Sequence, residues 1–211
     1  MTVDVSKIYL LDVATGADVQ AELRDAIEQA QLDDWQTKWR PALLTILQEL
    51  ARKGVPIDQW PQSWHWDWTK KTVRVQGLLA FRGFSVTALG ETQGLAQIDL
   101  TKMGREVNQH GKPLVYVDYL EVAPWNRPEF GAAPRLRGVG SALITAAIAL
   151  SEDEGFKGRI GLHSLPQADK FYRKIGMTDL GQDAAYQNLR YFEMTSEQAR
   201  AFFEKEENDE T

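Results

Sequence analysis

Arg135-Leu136-Arg137-Gly138-Val139-Gly140 is the stretch from which the rest of the chain is read. An apolar run, Leu114 to Val122, precedes it, and an amphipathic run, Ser141 to Glu154, comes after it. That order predicts a strand, a glycine-bearing loop and the start of a helix. Glycine lets main-chain N–H groups approach a ligand that a Cβ would hold away. A helix N-terminus adds unpaired donors and about half a positive charge. Arg135 and Arg137 bring side-chain charge to the same place. The expected ligand is a phosphate or pyrophosphate.

Two common phosphate loops do not fit. The dinucleotide fingerprint needs a third glycine, where Leu143 stands, and the Walker loop needs Gly-Lys-Ser/Thr. The pattern that fits is R-x-x-G-x-G after a strand reading Leu120-Glu121-Val122-Ala123-Pro124. About thirty residues later comes Ala168-Asp169-Lys170-Phe171-Tyr172-Arg173-Lys174-Ile175-Gly176-Met177. These two blocks, in this order, resemble the GNAT superfamily of acetyl-CoA-dependent N-acetyltransferases, with its Q/R-x-x-G-x-G/A and A-x-x-x-Y-x-x-x-G-F/M patterns. The resemblance covers roughly Phe81 to Glu193 and leaves the first seventy residues poorly matched.

The resemblance implies an α/β (α+β) fold. Its sheet is mixed and mostly antiparallel, with helices on both faces and one splayed pair of parallel strands, here preceded by a helical N-terminal elaboration. One domain over residues 1–211 is expected, with residues 1–70 as the elaboration, 71–195 as the transferase core and 204–211 as an acidic tail. It implies acetyl-CoA as cosubstrate. Backbone groups of Leu120, Glu121 and Val122 would pair with the pantetheine arm. Arg135, Arg137, Gly138, Val139, Gly140 and Ser141 would surround the pyrophosphate. Tyr172 matches the tyrosine that protonates the leaving sulfur, and a phenol with a reference pKa near ~10 is protonated at neutral pH. For the base, Asp118 stands at the family's acid position, two residues before Leu120. Glu121 and His163 are weaker choices, and solvent alone serves many such enzymes. The alternative to catalysis is a regulatory protein that binds acyl-CoA without turning it over.

Two departures stand out. Leu165 occupies the position where the family often carries asparagine. Ten residues, Trp125 to Pro134, separate Pro124 from Arg135, where about three are usual. With three prolines between 124 and 134, this insertion is expected to be stiff and to overhang a binding mouth, or else to be a plain surface loop.

Composition sets outer limits. Hydrophobic residues at 43% and charged residues at 26% are ordinary for a globular domain of 211 residues. With no cysteine, thiolate metal sites and cysteine nucleophiles are excluded, and a cytoplasmic setting is expected. No metal site is expected. Neither a membrane span nor a signal peptide is visible. A net charge of -6 disfavours nucleic acid and favours a neutral or basic acceptor, and the resemblance implies a small-molecule or peptide amine. The oligomeric state is left open, a homodimer included.

Along the chain, a strand is predicted over 7–13, a helix over 17–30 from Val19, Leu23, Ile27 and Ala30, and a second helix from Asp33 or Asp34 to about Lys53, interrupted at Pro41. Trp60, Trp64, Trp66 and Trp68 place four of the seven tryptophans within nine residues. They are read as a small core, as an aromatic wall of the acceptor pocket, or as a base-stacking surface. A hairpin around residues 90–94, strands at 159–164 and 189–194, and a helix from Pro166 to Lys174 complete the expectation.

Overall fold

The computed structural model describes residues 3–130 and 133–209, with side chains through Glu204. Contacts divide the chain into two compact units. The first holds the residues up to Gln97 together with Tyr119–Ile144, and the second holds Ile98–Asp118 together with the residues from Thr145 on.

The first unit opens with β1 (Val5–Asp12) and β2 (Asp18–Arg24), an antiparallel hairpin. The helix predicted over 17–30 is therefore a strand in its first half. Val19 and Leu23 recur at a spacing that fits both periods, and the turn decides between them. The Asp12 carboxylate accepts from the N–H groups of Ala14 and Thr15, Gly16 takes φ +69°, and the chain reverses onto β1. Glu28 and Gln31 then form a capping box that starts α1 (Gln29–Asp34). A π-helical turn, Trp35–Trp39, leads into α2 (Arg40–Arg52). The wide turn lies just before Pro41, whose ring would crowd the carbonyl four residues back in a regular helix. Asp67 caps α3 (Trp68–Val75) by accepting from the Lys70 N–H.

Next come β3 (Phe81–Ala88) and β4 (Glu91–Asp99), joined by two residues, Leu89 and Gly90, both at positive φ. The five-residue loop expected at 90–94 shrinks to this tight turn, and Glu91 to Gly94 join the strand. After β5 (Val115–Val122), the short β6 (Leu136–Arg137) pairs with β1. Within this unit the strand order is β6-β1-β2-β3-β4, then the half of β5 from Tyr119 on. Its core packs Leu32, Trp35, Trp39 and Trp68 with Leu95 and Ala123. Burying an aliphatic side chain such as Leu95 contributes about 2 kcal/mol.

The second unit carries the first half of β5, then α4 (Val139–Asp153) from Thr145 on, β7 (Ile160–Ser164), α5 (Asp169–Lys174), β8 (Thr178–Asp183), β9 (Leu189–Met194) and α6 (Ser196–Asp209). Its strand order is β5-β7-β9-β8. β5 and β7 are parallel, and the other pairs are antiparallel. The sheet is thus mixed and mostly antiparallel, as expected. The parallel register runs from Val115↔Ile160 to Val117↔Leu162, while β5 continues to Val122. Thr195 and Gln198 cap α6 reciprocally. This helix carries the start of the expected acidic tail, whose last two residues lie outside the described chain. Among the described residues, no helix is long and apolar enough to cross a membrane.

Candidate functional site

The glycine loop is built as its sequence requires. Gly138 takes φ +97°, a conformation that side-chain-bearing residues rarely adopt. It turns the chain from β6 into α4. The first helical bond runs from the Ala142 N–H to the Gly138 carbonyl at 2.8 Å. The N–H groups of Val139, Gly140 and Ser141 lie ahead of that bond, where a helix offers its unpaired donors. Val139 is buried and anchors the turn, whereas Arg137 and Gly138 are exposed. Arg135 is also exposed, 3.6 Å from Glu91 and over the Trp125 ring. Gly94 on β4 lets this helix start lie close. A Cβ there would meet Val139 Cγ1 at 2.6 Å and Leu143 Cδ1 at 3.0 Å.

On β5 the side chains separate as the strand period demands. Leu120 and Val122 are half-buried and Glu121 is buried. The Trp68 indole N–H donates to Glu121 Oε2 at 2.7 Å, and Arg127 Nη1 reaches Oε1 at 3.3 Å. Burial pushes the Glu121 carboxyl pKa above its ordinary value, against the opposing pull of Arg127, Trp68 and Ser63. Arg127 also donates to Ser63 Oγ at 3.0 Å and to Glu129 at 2.7 Å, and it lies over the Phe130 ring. One guanidinium therefore joins β5, the tryptophan run and the insertion.

The tryptophan run divides between core and cavity. Trp68 belongs to the core, while Trp60, Trp64 and Trp66 line a cavity of about 550 Å³. Trp35, Trp39 and the leucines of α2 form its other wall, and Glu121 contributes to its lining. That volume falls in the usual range for small-molecule sites, ~300–1,000 Å³.

The described part of the insertion is anchored. Pro124–Asn126 and Pro128–Phe130 form short 3-10 turns. The side-chain N–H groups of Trp125 and Asn126 both donate to Gln93 Oε1 at 2.9 Å, and Asn126 accepts from the Leu136 N–H. This segment positions β6, and with it the glycine loop.

The remaining candidates lie in the second unit. Asp118 is half-buried on the first half of β5, and its charge helps burial raise the pKa of Tyr116. His163 has both ring nitrogens engaged. Tyr116 Oη lies 2.6 Å from Nδ1 and Asp183 Oδ2 lies 3.0 Å from Nε2, while Tyr186 stacks on the ring at 3.9 Å. Burial lowers the His163 pKa, and Arg105 together with His163 holds Asp183 down to about 2. With the phenol protonated, Nδ1 accepts from Tyr116 and Nε2–H donates to Asp183. The imidazole is thus neutral and committed at both ends. Tyr172 on α5 is buried beside Phe171 and Phe192, and burial raises its pKa, so the phenol stays protonated.

Sequence reasoning named Glu121 but missed Arg127, Ser63 and the Trp68 indole as its partners. Ser63 and Trp68 lie more than fifty positions from it in the chain, and a local pattern carries no trace of such a meeting. Among the described residues, no group of three or more acidic or histidine side chains could hold a metal ion.

No family model matches the sequence, and no curated protein matches it. Solved structures do. A GNAT-family acetyltransferase from Listeria monocytogenes is 12% identical and aligns over 90% of this chain and 99% of its own, with a TM-score of 0.53. The GNAT domain of PAT from S. lividans is 17% identical over 90% of this chain and 96% of its own, with a TM-score of 0.49. The PaiA N-acetyltransferase from Thermoplasma acidophilum, in complex with coenzyme A, is 14% identical over 92% and 99%, with a TM-score of 0.46. Over nine-tenths of its length, this chain has the fold of the GNAT acetyltransferases.

Proposed function

We propose that the protein is an acetyl-CoA-dependent N-acetyltransferase that acts by direct transfer. The observation that carries this reading is the Gly138 turn into α4, where the N–H groups of Val139, Gly140 and Ser141 precede the first helical bond. These donors, with Arg135 and Arg137, take the diphosphate. The backbone of Leu120, Glu121 and Val122 pairs with the pantetheine arm. The amine nitrogen attacks the acetyl carbonyl carbon, the carbon–sulfur bond breaks, and coenzyme A leaves as the thiol. Tyr172 supplies the sulfur's proton. Asp118 remains the first candidate to take the proton from the amine. The occupied nitrogens of His163 argue against that role for it, and the pairing of Glu121 with Arg127 argues against it there too. The reading keeps an amine acceptor and, on the absence of cysteine, a cytoplasmic setting.

Calorimetry with acetyl-CoA, then thiol release with a panel of amines, tests this. Binding lost in Gly138→Asp, with turnover of at least one amine by the parent protein, is the expected result. Absence of binding by folded protein would overturn the reading. Binding without any turnover would leave an acyl-CoA sensor in its place.

A further inference from the structure

The cavity of the first unit has a polarity of its own. Leu44 and Trp64, 51% and 41% exposed, stand at its mouth, and Trp39 and Ser63, 2% and 3% exposed, stand deep within it. Between them the wall is indole and leucine. Charge is arranged along the same axis. The carboxylate of Glu121 is at the deep end, and the cations Arg40 and Lys70 are exposed at the rim. Asp67, also at the rim, is already held by Lys70 and by the N-terminus of α3. Of the Glu121–Arg127 pair only Glu121 lines the cavity, so the deep end offers a hydrogen-bond acceptor and favours a ligand amine over a ligand carboxylate. Indole faces attract an ammonium. Glu121 has capacity left. A carboxylate offers about four acceptor sites, and Trp68, Arg127 and Ser63 occupy three.

We infer that this cavity binds an apolar or aromatic primary amine, its nitrogen against Glu121 and its body along the tryptophan and leucine wall. This deepens the acetyl-transfer reading by naming the acceptor class, and it rests on that reading for the chemistry after binding. The binding itself is a property of the first unit.

The test uses the full chain and 2-phenylethylamine, titrated calorimetrically without coenzyme A, with 2-phenylethanol as the uncharged comparison. The amine should bind at least ~10-fold more tightly than the alcohol, since a hydrogen bond to a charged group is worth that much or more. Glu121→Gln should remove the preference. Because that substitution disturbs a buried pair, Leu44→Arg is the second variant. It sits at the open mouth, where folding tolerates it, and should abolish binding by blocking entry. Equal binding of amine and alcohol, or amine binding unchanged in Leu44→Arg, would overturn the inference. A protein that binds acetyl-CoA but not 2-phenylethylamine also overturns it, and leaves the transferase reading standing. The opposite pattern supports the inference and removes the transferase reading.

Discussion

The indole N–H of Trp68 donates to the buried carboxylate of Glu121 across 53 positions of sequence, at 2.7 Å. This bond joins the tryptophan run to β5, and Arg127 closes the arrangement from the insertion side. An ionised carboxylate survives in such a place only while its partners hold it. Of the Glu121–Arg127 pair, only Glu121 lines the cavity.

Arg127→Met should destabilise the protein by about 3–5 kcal/mol, because it leaves the buried carboxylate without its counter-charge. The double variant with Glu121→Leu should recover most of that loss, since no charge then remains to compensate. Urea unfolding of the parent, the single variant and the double variant measures both effects. A double variant as unstable as the single one would show that Arg127 acts through packing alone.

Gly94→Ala should displace the start of α4. The added Cβ would lie 2.6 Å from Val139 Cγ1, and valine is held stiffly in one rotamer. Overpacking of this kind costs about 1–3 kcal/mol. A fall in melting temperature accompanied by weaker coenzyme A binding is expected. Reduced stability with unchanged coenzyme affinity would separate the glycine loop from the packing beneath it.

Tyr172→Phe keeps the ring that packs on Phe171 and Phe192 and removes only the hydroxyl. Loss of a general acid lowers turnover by ~100-fold or more. The expected result is a fall in kcat with little change in KM for acetyl-CoA, measured by steady-state thiol release. An unchanged kcat would make Tyr172 a packing residue.

His163 predicts a pH dependence of stability. Burial lowers its pKa in the folded protein below the ordinary 6.5. The unfolded chain therefore binds the proton first as pH falls. The stability from neutral His163 is fully present above about pH 6.5, and it is lost progressively as pH drops from there toward the folded-state pKa. Melting temperatures from pH 8 to pH 5 should fall in the parent protein, and should fall less steeply in His163→Gln. A parallel decline in both would assign the effect to other groups.

The parts legible in the sequence share a physical origin. Gly138, the apolar run of β5 and the helix behind Pro166 are set by neighbours within a few residues, through backbone sterics and local hydrogen bonds. The helix predicted over 17–30 failed for the complementary reason. Val19 and Leu23 fit both periods, and pairing with β1 decided between them. The two-residue β6 was invisible because its reason to be extended is β1, more than a hundred positions away.

The same boundary runs through the candidate site. The sequence by itself determined the glycine turn and the helix after it. The tertiary structure alone decided that Glu121 is enclosed beside Arg127 and Trp68, that His163 is committed at both nitrogens, and that α2 and the tryptophan run enclose a cavity. Burial and pairing depend on what lies across space, and only the folded chain brings Ser63, Trp68 and Arg127 to one carboxylate.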